Sequence, residues 1–201
     1  MSTPRTRLSA TERRESILDA AAVVFGEQGY VGARTDEIAR RAGISQALVI
    51  RSFGSKEALF IATAERAVAR VAATFRSTIA NTNSQARIEP RLGEAYVRLA
   101  EDRGSLVTLL HLFTLGQDPT MGPIARESFL SIYRILRDEA GLSAARASAF
   151  LANGMLVSTL LGLQLPGQAE DSTVTELLRS AFHENYSLAL APAHSEVASR
   201  R

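Results

Sequence analysis

Residues 35–59 read TDEIARRAGISQALVIRSFGSKEAL. Thr35 can cap a short helix carrying Ile38 and Ala39, and Gly43 ends that helix after about two turns. Ser45 then caps a second short helix containing Leu48 and Val49, and Ser55 opens a much longer one. Two short helices that cross steeply need a small residue where they touch and a glycine where the chain turns between them. Ala39 and Gly43 stand at those places. Ile38, Ile44, Val49 and Phe53 then form the apolar wedge that seats the pair, which leaves Gln46, Ala47, Leu48, Arg51 and Ser52 on the outer side of the second helix. The pattern is that of a helix-turn-helix.

That outer side suits a DNA major groove. Glutamine pairs bidentately with adenine, arginine does so with guanine or binds phosphate, and an alanine or leucine side chain meets a thymine methyl. Ser45, Thr35 and Lys56 stand at helix N-termini, where hydroxyls, an ammonium and free N–H groups attract phosphates. Residues 34–56 hold five cations and two carboxylates. The bland alternative is that glycine-linked helix pairs are common in all-helical proteins, and that Arg51 and Lys56 taken singly are ordinary solvated charges.

Outward from this stretch the helical period continues. Ser9 with Glu12 forms an S-x-x-E capping box. It opens a helix with Ile17, Ala21, Val24 and Phe25 on one face, which the region of Gly29 ends. Downstream, the long helix 55–81 carries Leu59, Ala62, Ala69, Val71, Ala72 and Phe75. The polar segment 81–90 marks a bend. Further helices are expected near 90–102, 105–116, 123–140, 143–165 and 173–190. Gly104, the turn-rich 116–123, Gly141 with a capping Ser143, and 166–172 separate them. Thr173 with Glu176 reads as a second capping box, and the tail beyond Ala191 as frayed. Alternating strand patterns and repeats are absent, so the chain is expected to be all-α.

Composition narrows the functions open to it. The 201 residues include 46% hydrophobic and 22% charged side chains, as in an ordinary globular protein. With no cysteine, disulfide frameworks, Cys-based zinc sites and thiol catalysis are excluded. The net charge of +2 is unevenly spread: residues 1–76 hold 12 cations against 8 acids, and the remainder 11 against 13. A basic N-terminal part points to a polyanion there. Arginine supplies all the cations but Lys56, a bias that reflects base composition more than phosphate binding. The N-terminus lacks an apolar signal region, so a cytoplasmic location is expected. Residues 147–169 carry no charge over 23 positions. Asn153, Gly154, Ser158, Thr159, Gln164 and Pro166 interrupt them, which favours a helix buried among helices over a membrane span.

From about residue 13 to 59 the sequence resembles the N-terminal domain of the TetR family of one-component transcriptional regulators. The residues that carry the resemblance are ILDAAAVVFGEQGYVGART (17–35), DEIARRAGIS (36–45) and FGSKEALF (53–60). It implies a three-helix helix-turn-helix DNA-binding domain over 1–54. A helical effector-binding and dimerisation domain would follow over 55–201, joined through the helix 55–81, with about nine helices in all. By position it implies that Thr35 contacts phosphate, that Gln46, Ala47 and Leu48 face bases, and that Lys56 binds phosphate at the start of the fourth helix. Two positions depart from the family pattern. Ile50 replaces its usual tyrosine and Ser52 its aromatic or histidine, which leaves Arg51 a larger share of the backbone anchoring.

A twofold dimer binds half-sites about 34–36 Å apart or multiples of that. The resemblance implies that the last two long helices hold the dimer. The small strip Gly154, Ser158 and Gly162, bordered by Leu151 and Leu161, suits such an interface, with Leu178 and Phe182 on the final helix. It also implies a small-molecule pocket in the C-terminal domain. Tyr96, His111, Phe113, Met121, Tyr133, Phe150 and Asn153 combine apolar bulk with polar groups and are its candidate lining. The expectation is therefore a homodimeric regulator, a repressor released from double-stranded operator DNA by an effector, with no cofactor, no metal and no membrane partner. The competing reading is a helical small-molecule-binding module or an enzyme without DNA binding. Against the enzyme, His183 and Glu184 begin an H-E-x-x-H pattern that fails at Ser187, and no P-loop, G-x-G-x-x-G or G-x-S-x-G occurs.

Overall fold

Ser9 opens the first helix as the sequence predicts: its Oγ accepts from the Glu12 N–H at 3.2 Å, and the Glu12 carboxylate accepts from the Ser9 N–H at 2.8 Å. The computed structural model describes residues 9–83, 88–188 and 190. Among them the chain forms nine α-helices and no strand. Helix α1, Ala10–Gly32, buries Ile17, Ala21, Val24 and Phe25 completely. It does not end at Gly29. The chain kinks there, at φ 67° and ψ 177°, and makes one more turn. Only glycine adopts that geometry at low cost.

Helices α2 (Thr35–Arg41) and α3 (Gln46–Phe53) form the steep pair. Gly43 takes a left-handed φ of 68°, which lets the Ile44 N–H reach back to the Ala39 carbonyl at 3.0 Å. Ala39, Ile38 and Val49 are buried, and Ile44 and Phe53 pack beside them. Ser45 caps α3 through the Leu48 N–H, and Ser55 caps α4 (Lys56–Ala80) through the Ala58 N–H. Each such cap is worth about 1 kcal/mol. Thr35 caps nothing. Arg34 occupies the N-cap of α2 without a side-chain cap bond, since a guanidinium has no acceptor, and the Thr35 hydroxyl accepts instead from Gln46.

Helix α4 runs from this head into the rest of the molecule. Phe60 packs edge-on against Phe25 with ring centroids 5.0 Å apart, and four turns later Phe75 meets Phe150 at 5.7 Å. A single apolar core thus extends from Ile17 to Phe182.

The remaining helices are α5 (Ile88–Arg98), α6 (Arg103–Thr114), α7 (Met121–Arg134), α8 (Ala144–Gly162) and α9 (Ser172–Phe182). Three of their boundaries depart from the sequence reading. Gly104 is no break: a 3-10 turn, Leu99–Asp102, leads into α6, Asp102 caps it, and Gly104 lies in its first turn where α1 crosses. Asp171, not a Thr173–Glu176 box, caps α9 by accepting from the Thr173 and Val174 N–H groups. And α9 stops at His183, which takes φ 49°, a conformation that ends a helix. Helix α7 continues as a widened π turn, Ile135–Glu139, before Gly141 turns the chain at φ 70°. Ser143 caps α8 as expected. Residues 84–87 of the polar segment and the tail beyond Ala191 lie outside the described residues.

Candidate nucleic-acid interface and effector cleft

The turn at Gly43 and the cap at Ser45 set α3 on the surface with Val49 inward. Gln46, Ala47, Ile50 and Arg51 then face outward, spaced i, i+1, i+4 and i+5 on one face. Leu48, expected on the same face, is half-buried, because Val49 beside it turns fully into the core. Ile50 is 39% exposed. The sequence reading registered it only as a missing phosphate contact, although its place four residues after Gln46 already put it on the outer face.

The hydroxyls of this face are committed differently. The Gln46 side-chain amide donates to Thr35 Oγ1 at 2.8 Å, joining the two short helices across their outer side. Ser45 Oγ accepts from the Leu48 N–H, which leaves its own proton free. Ser52 Oγ donates to the Leu48 carbonyl at 2.8 Å, so the proton that a phosphate contact would need is spent inside the helix. Ser52, expected among the DNA-facing residues, is therefore a poor phosphate donor.

The cations sort in the same way. Arg34 forks onto Asp36 at 3.0 and 2.9 Å, Arg40 lies 3.8 Å from Glu37, and Arg41 lies 3.7 Å from Glu27. The Arg34 hydrogen bonds hold the Asp36 carboxyl below the usual carboxylate range. Arg14 stacks over Phe53 at 4.3 Å. Lys56 turns its ammonium to the carbonyls of Val31 and Ala33, at 3.3 and 3.2 Å, and lies over the Tyr30 ring. It thereby neutralises the C-terminal end of α1, which has no basic residue in its own last turn. One of its three N–H donors remains. Arg51 is exposed and carries no ion pair among the described residues.

In the body, a cleft of about 490 Å³ opens between α5, α8 and the end of α9. Tyr96, Phe150 and Asn153 line it, with Phe182 on its apolar side and Glu89, Arg146 and His183 at its polar side. Asn153 donates to the Ala181 carbonyl at 3.1 Å, which leaves its oxygen as an acceptor. The Glu89 carboxylate accepts from Arg146 at 2.7 Å. A smaller cavity of about 40 Å³ lies behind, among Phe75, Tyr96, Phe113, Phe129 and Phe150. The structure thus brings together four of the seven candidate lining residues. Met121 is fully buried in the core, and Tyr133 is half-buried against it. His111 lies instead under the head, its Nε2 3.4 Å from the Gly26 carbonyl and its ring against the kink at Gly29.

Of the small strip on α8, expected at a dimer interface, Ser158 and Gly154 face the body of their own chain, while Gly162 is exposed at its edge. Ser158 is buried, with its Oγ 2.7 Å from the Tyr96 hydroxyl. A Cβ at Gly154 would lie 3.7 Å from the Tyr96 ring, and one at Gly162 3.7 Å from the Val107 methyls. The strip admits α5 and α6 of the same chain. Leu161, Leu178 and Phe182 are buried in the same core, and Leu151 lines the small cavity. Burial pushes the Tyr96 hydroxyl pKa up, with the Ser158 hydrogen bond opposing it. What α8, its C-cap and α9 leave outside is Leu156, Leu163 and Leu177, exposed by 39%, 60% and 40%.

Comparison with known proteins agrees with this geometry. Residues 17–63 match the family of bacterial regulatory proteins, tetR family. The HTH-type transcriptional activator FasR of Mycolicibacterium smegmatis is 29% identical over 145 residues, 70% of this chain and 66% of that protein. The HTH-type transcriptional regulator BetI of Rhizobium meliloti is 53% identical over 51 residues, 25% of each. The chain therefore spans just under two thirds of the first of these relatives and a quarter of the second. A TetR-like transcriptional regulator from Rhodococcus shares the fold, with a TM-score of 0.65 at 22% identity, over 91% of this chain and 96% of that one. The head, over residues 17–63, thus matches the tetR family of bacterial regulatory proteins, and the all-helical fold behind it is one that a TetR-like regulator shares.

Proposed function

We propose that the chain is a DNA-binding transcriptional regulator with a reading head over 1–54 and a helical body over 55–201. It binds a palindromic operator as a dimer and is released by a small molecule held in the body. The observation that carries this reading is the exposed face of α3, where Gln46, Ala47, Ile50 and Arg51 stand together on a rigidly capped helix. Gln46 reads a base edge, Ala47 and Ile50 meet thymine methyls, and Arg51 with Lys56, Thr35 and Ser45 holds phosphates.

The outward faces of α8 and α9 are the proposed dimer surface. Helix α8 is long and apolar enough to cross a membrane. Its inner face packs on α5 and α6, however, and we read its exposed leucines as covered by the same helices of a second copy. The cleft lined by Tyr96, Phe150 and Asn153 is the proposed effector site. A ligand wedged between α5, α8 and α9 favours one arrangement of the body and DNA another, so each weakens the other by the same factor. A dimer seated across a promoter excludes polymerase, which makes repression the default and activation a matter of operator position. Such proteins act in the cytoplasm, where the DNA is.

The test is selection of duplexes from a random library by the purified chain. A palindromic consensus, bound with an affinity that falls steeply with salt, supports the reading. Equal retention of all duplexes overturns it.

A further inference from the structure

Thr35 and Gln46 come from different helices, α2 and α3, yet the Gln46 Nε2 donates to Thr35 Oγ1 at 2.8 Å. Gln46 is exposed and Thr35 half-buried, so the better-held partner fixes the freer one. A glutamine amide has two N–H donors and one acceptor. With one N–H taken by Thr35, it presents an outward edge of one acceptor and one donor.

We infer that Thr35 sets the base preference of Gln46, by locking its amide in the orientation that accepts adenine and refuses guanine; the inference rests on the DNA-binding reading above. Adenine offers the major groove an N7 acceptor and an N6–H donor, the complement of the edge that Gln46 is left with. Guanine offers N7 and O6, both acceptors, so the Gln46 oxygen meets another oxygen. A free amide escapes this by turning both N–H groups toward guanine. Once the Thr35 hydroxyl has given its proton to a phosphate it can only accept from Gln46, so the turn would set oxygen against oxygen and is opposed. The same bond makes the Thr35 hydroxyl an acceptor toward Gln46, which directs its own proton away from the amide and toward a phosphate. Thr35 is thus a positioning residue that ties backbone register to base reading.

The experiment selects a duplex with the full wild-type chain and measures every single-base variant of it. The chains compared are wild type, Thr35→Val, Thr35→Ser, Gln46→Ala and the double variant Thr35→Val with Gln46→Ala, each checked by thermal melting. Gln46→Ala identifies the base pair that Gln46 reads. At that pair, Thr35→Val lowers the adenine-over-guanine preference by about tenfold, the scale of one bidentate base contact. Thr35→Ser keeps the preference, and Thr35→Val changes it no further once Gln46 is alanine. If Thr35→Val weakens all duplexes equally and leaves the preference intact, Thr35 is a phosphate contact alone and the inference is overturned. It is equally overturned if Gln46→Ala changes no base preference. Failure of the wild-type chain to select any duplex removes the DNA-binding reading itself, a result distinct from both.

Discussion

Gly104 on α6 and Ala22 on α1 meet backbone to backbone: a Cβ built on Gly104 would lie 2.7 Å from the Ala22 carbonyl oxygen. The same crossing sets Gly26 so close that its Cβ would come within 2.9 Å of the Gly104 Cα, and Thr108 Oγ1 donates to the Ala22 carbonyl at 3.2 Å. The first helix of the head is thereby locked to the body at a point where neither side has a flexible side chain to move aside. Gly104→Ala forces the two backbones apart and is expected to lower stability by about 1–3 kcal/mol, the usual cost of overpacking. At this chain length that is a fall of about 2–4 °C in Tm per kcal/mol, read in a thermal melt. An unchanged melt means that the helices separate freely at the crossing.

Tyr96 and Ser158 make the second tie, inside the body, at 2.7 Å between hydroxyls. Ser158→Ala strands the buried Tyr96 hydroxyl, and Tyr96→Phe strands Ser158. Each is expected to cost about 1–3 kcal/mol, and the double variant less than the sum, because it leaves no unpaired group. Chemical denaturation of the four chains measures this. Strictly additive losses mean that the two hydroxyls do not depend on each other.

How far the sequence revealed these features follows from the kind of signal each one leaves. Capping and periodicity are local, so Ser9, Ser45, Ser55 and Ser143 were legible, as were the buried face of α1 and the left-handed turn at Gly43. Gly104 misled because a glycine needed for close approach looks the same in sequence as one that ends a helix. The strip Gly154, Ser158, Gly162 misled for a related reason: small residues at every fourth place announce a near neighbour, not whose it is. Ser52 was legible as an outer residue and Thr35 as a residue at the start of α2, although not its cap, but the destinations of their hydroxyls, Leu48 in one case and Gln46 in the other, exist only in three dimensions.

Arg51 is the cation of α3, and it lacks the carboxylate partner that Arg34, Arg40 and Arg41 each have. Arg51→Ala is expected to weaken every duplex and to reduce the slope of log affinity against log salt by about one. Arg34→Ala also frees Asp36, so its effect on the slope is expected to be at least as large through the added negative charge beside the phosphates, although Arg34 itself is neutralised. Affinity measured across a salt series checks the role of Arg51: loss of base discrimination with an unchanged slope at Arg51→Ala places that residue on a base instead.

Leu156 on α8, Leu163 at its C-cap and Leu177 on α9 are the large apolar side chains exposed in this part of the chain. Covering what each leucine still exposes contributes about half of the ~1.5–3 kcal/mol that a whole leucine gains on burial, and a carboxylate in its place must be desolvated against apolar surface. Leu156→Glu with Leu163→Glu is therefore expected to yield folded monomers in sedimentation, with an unchanged helical circular dichroism signal, and to lose binding to palindromic duplexes. Ser158→Arg, on the inner face of the same helix, is expected to unfold the body instead, since it drives a long cation into the contact with Tyr96. Dimers that persist in the double leucine variant would move the interface off these two helices, whereas folded monomers from Ser158→Arg would return it to the small strip.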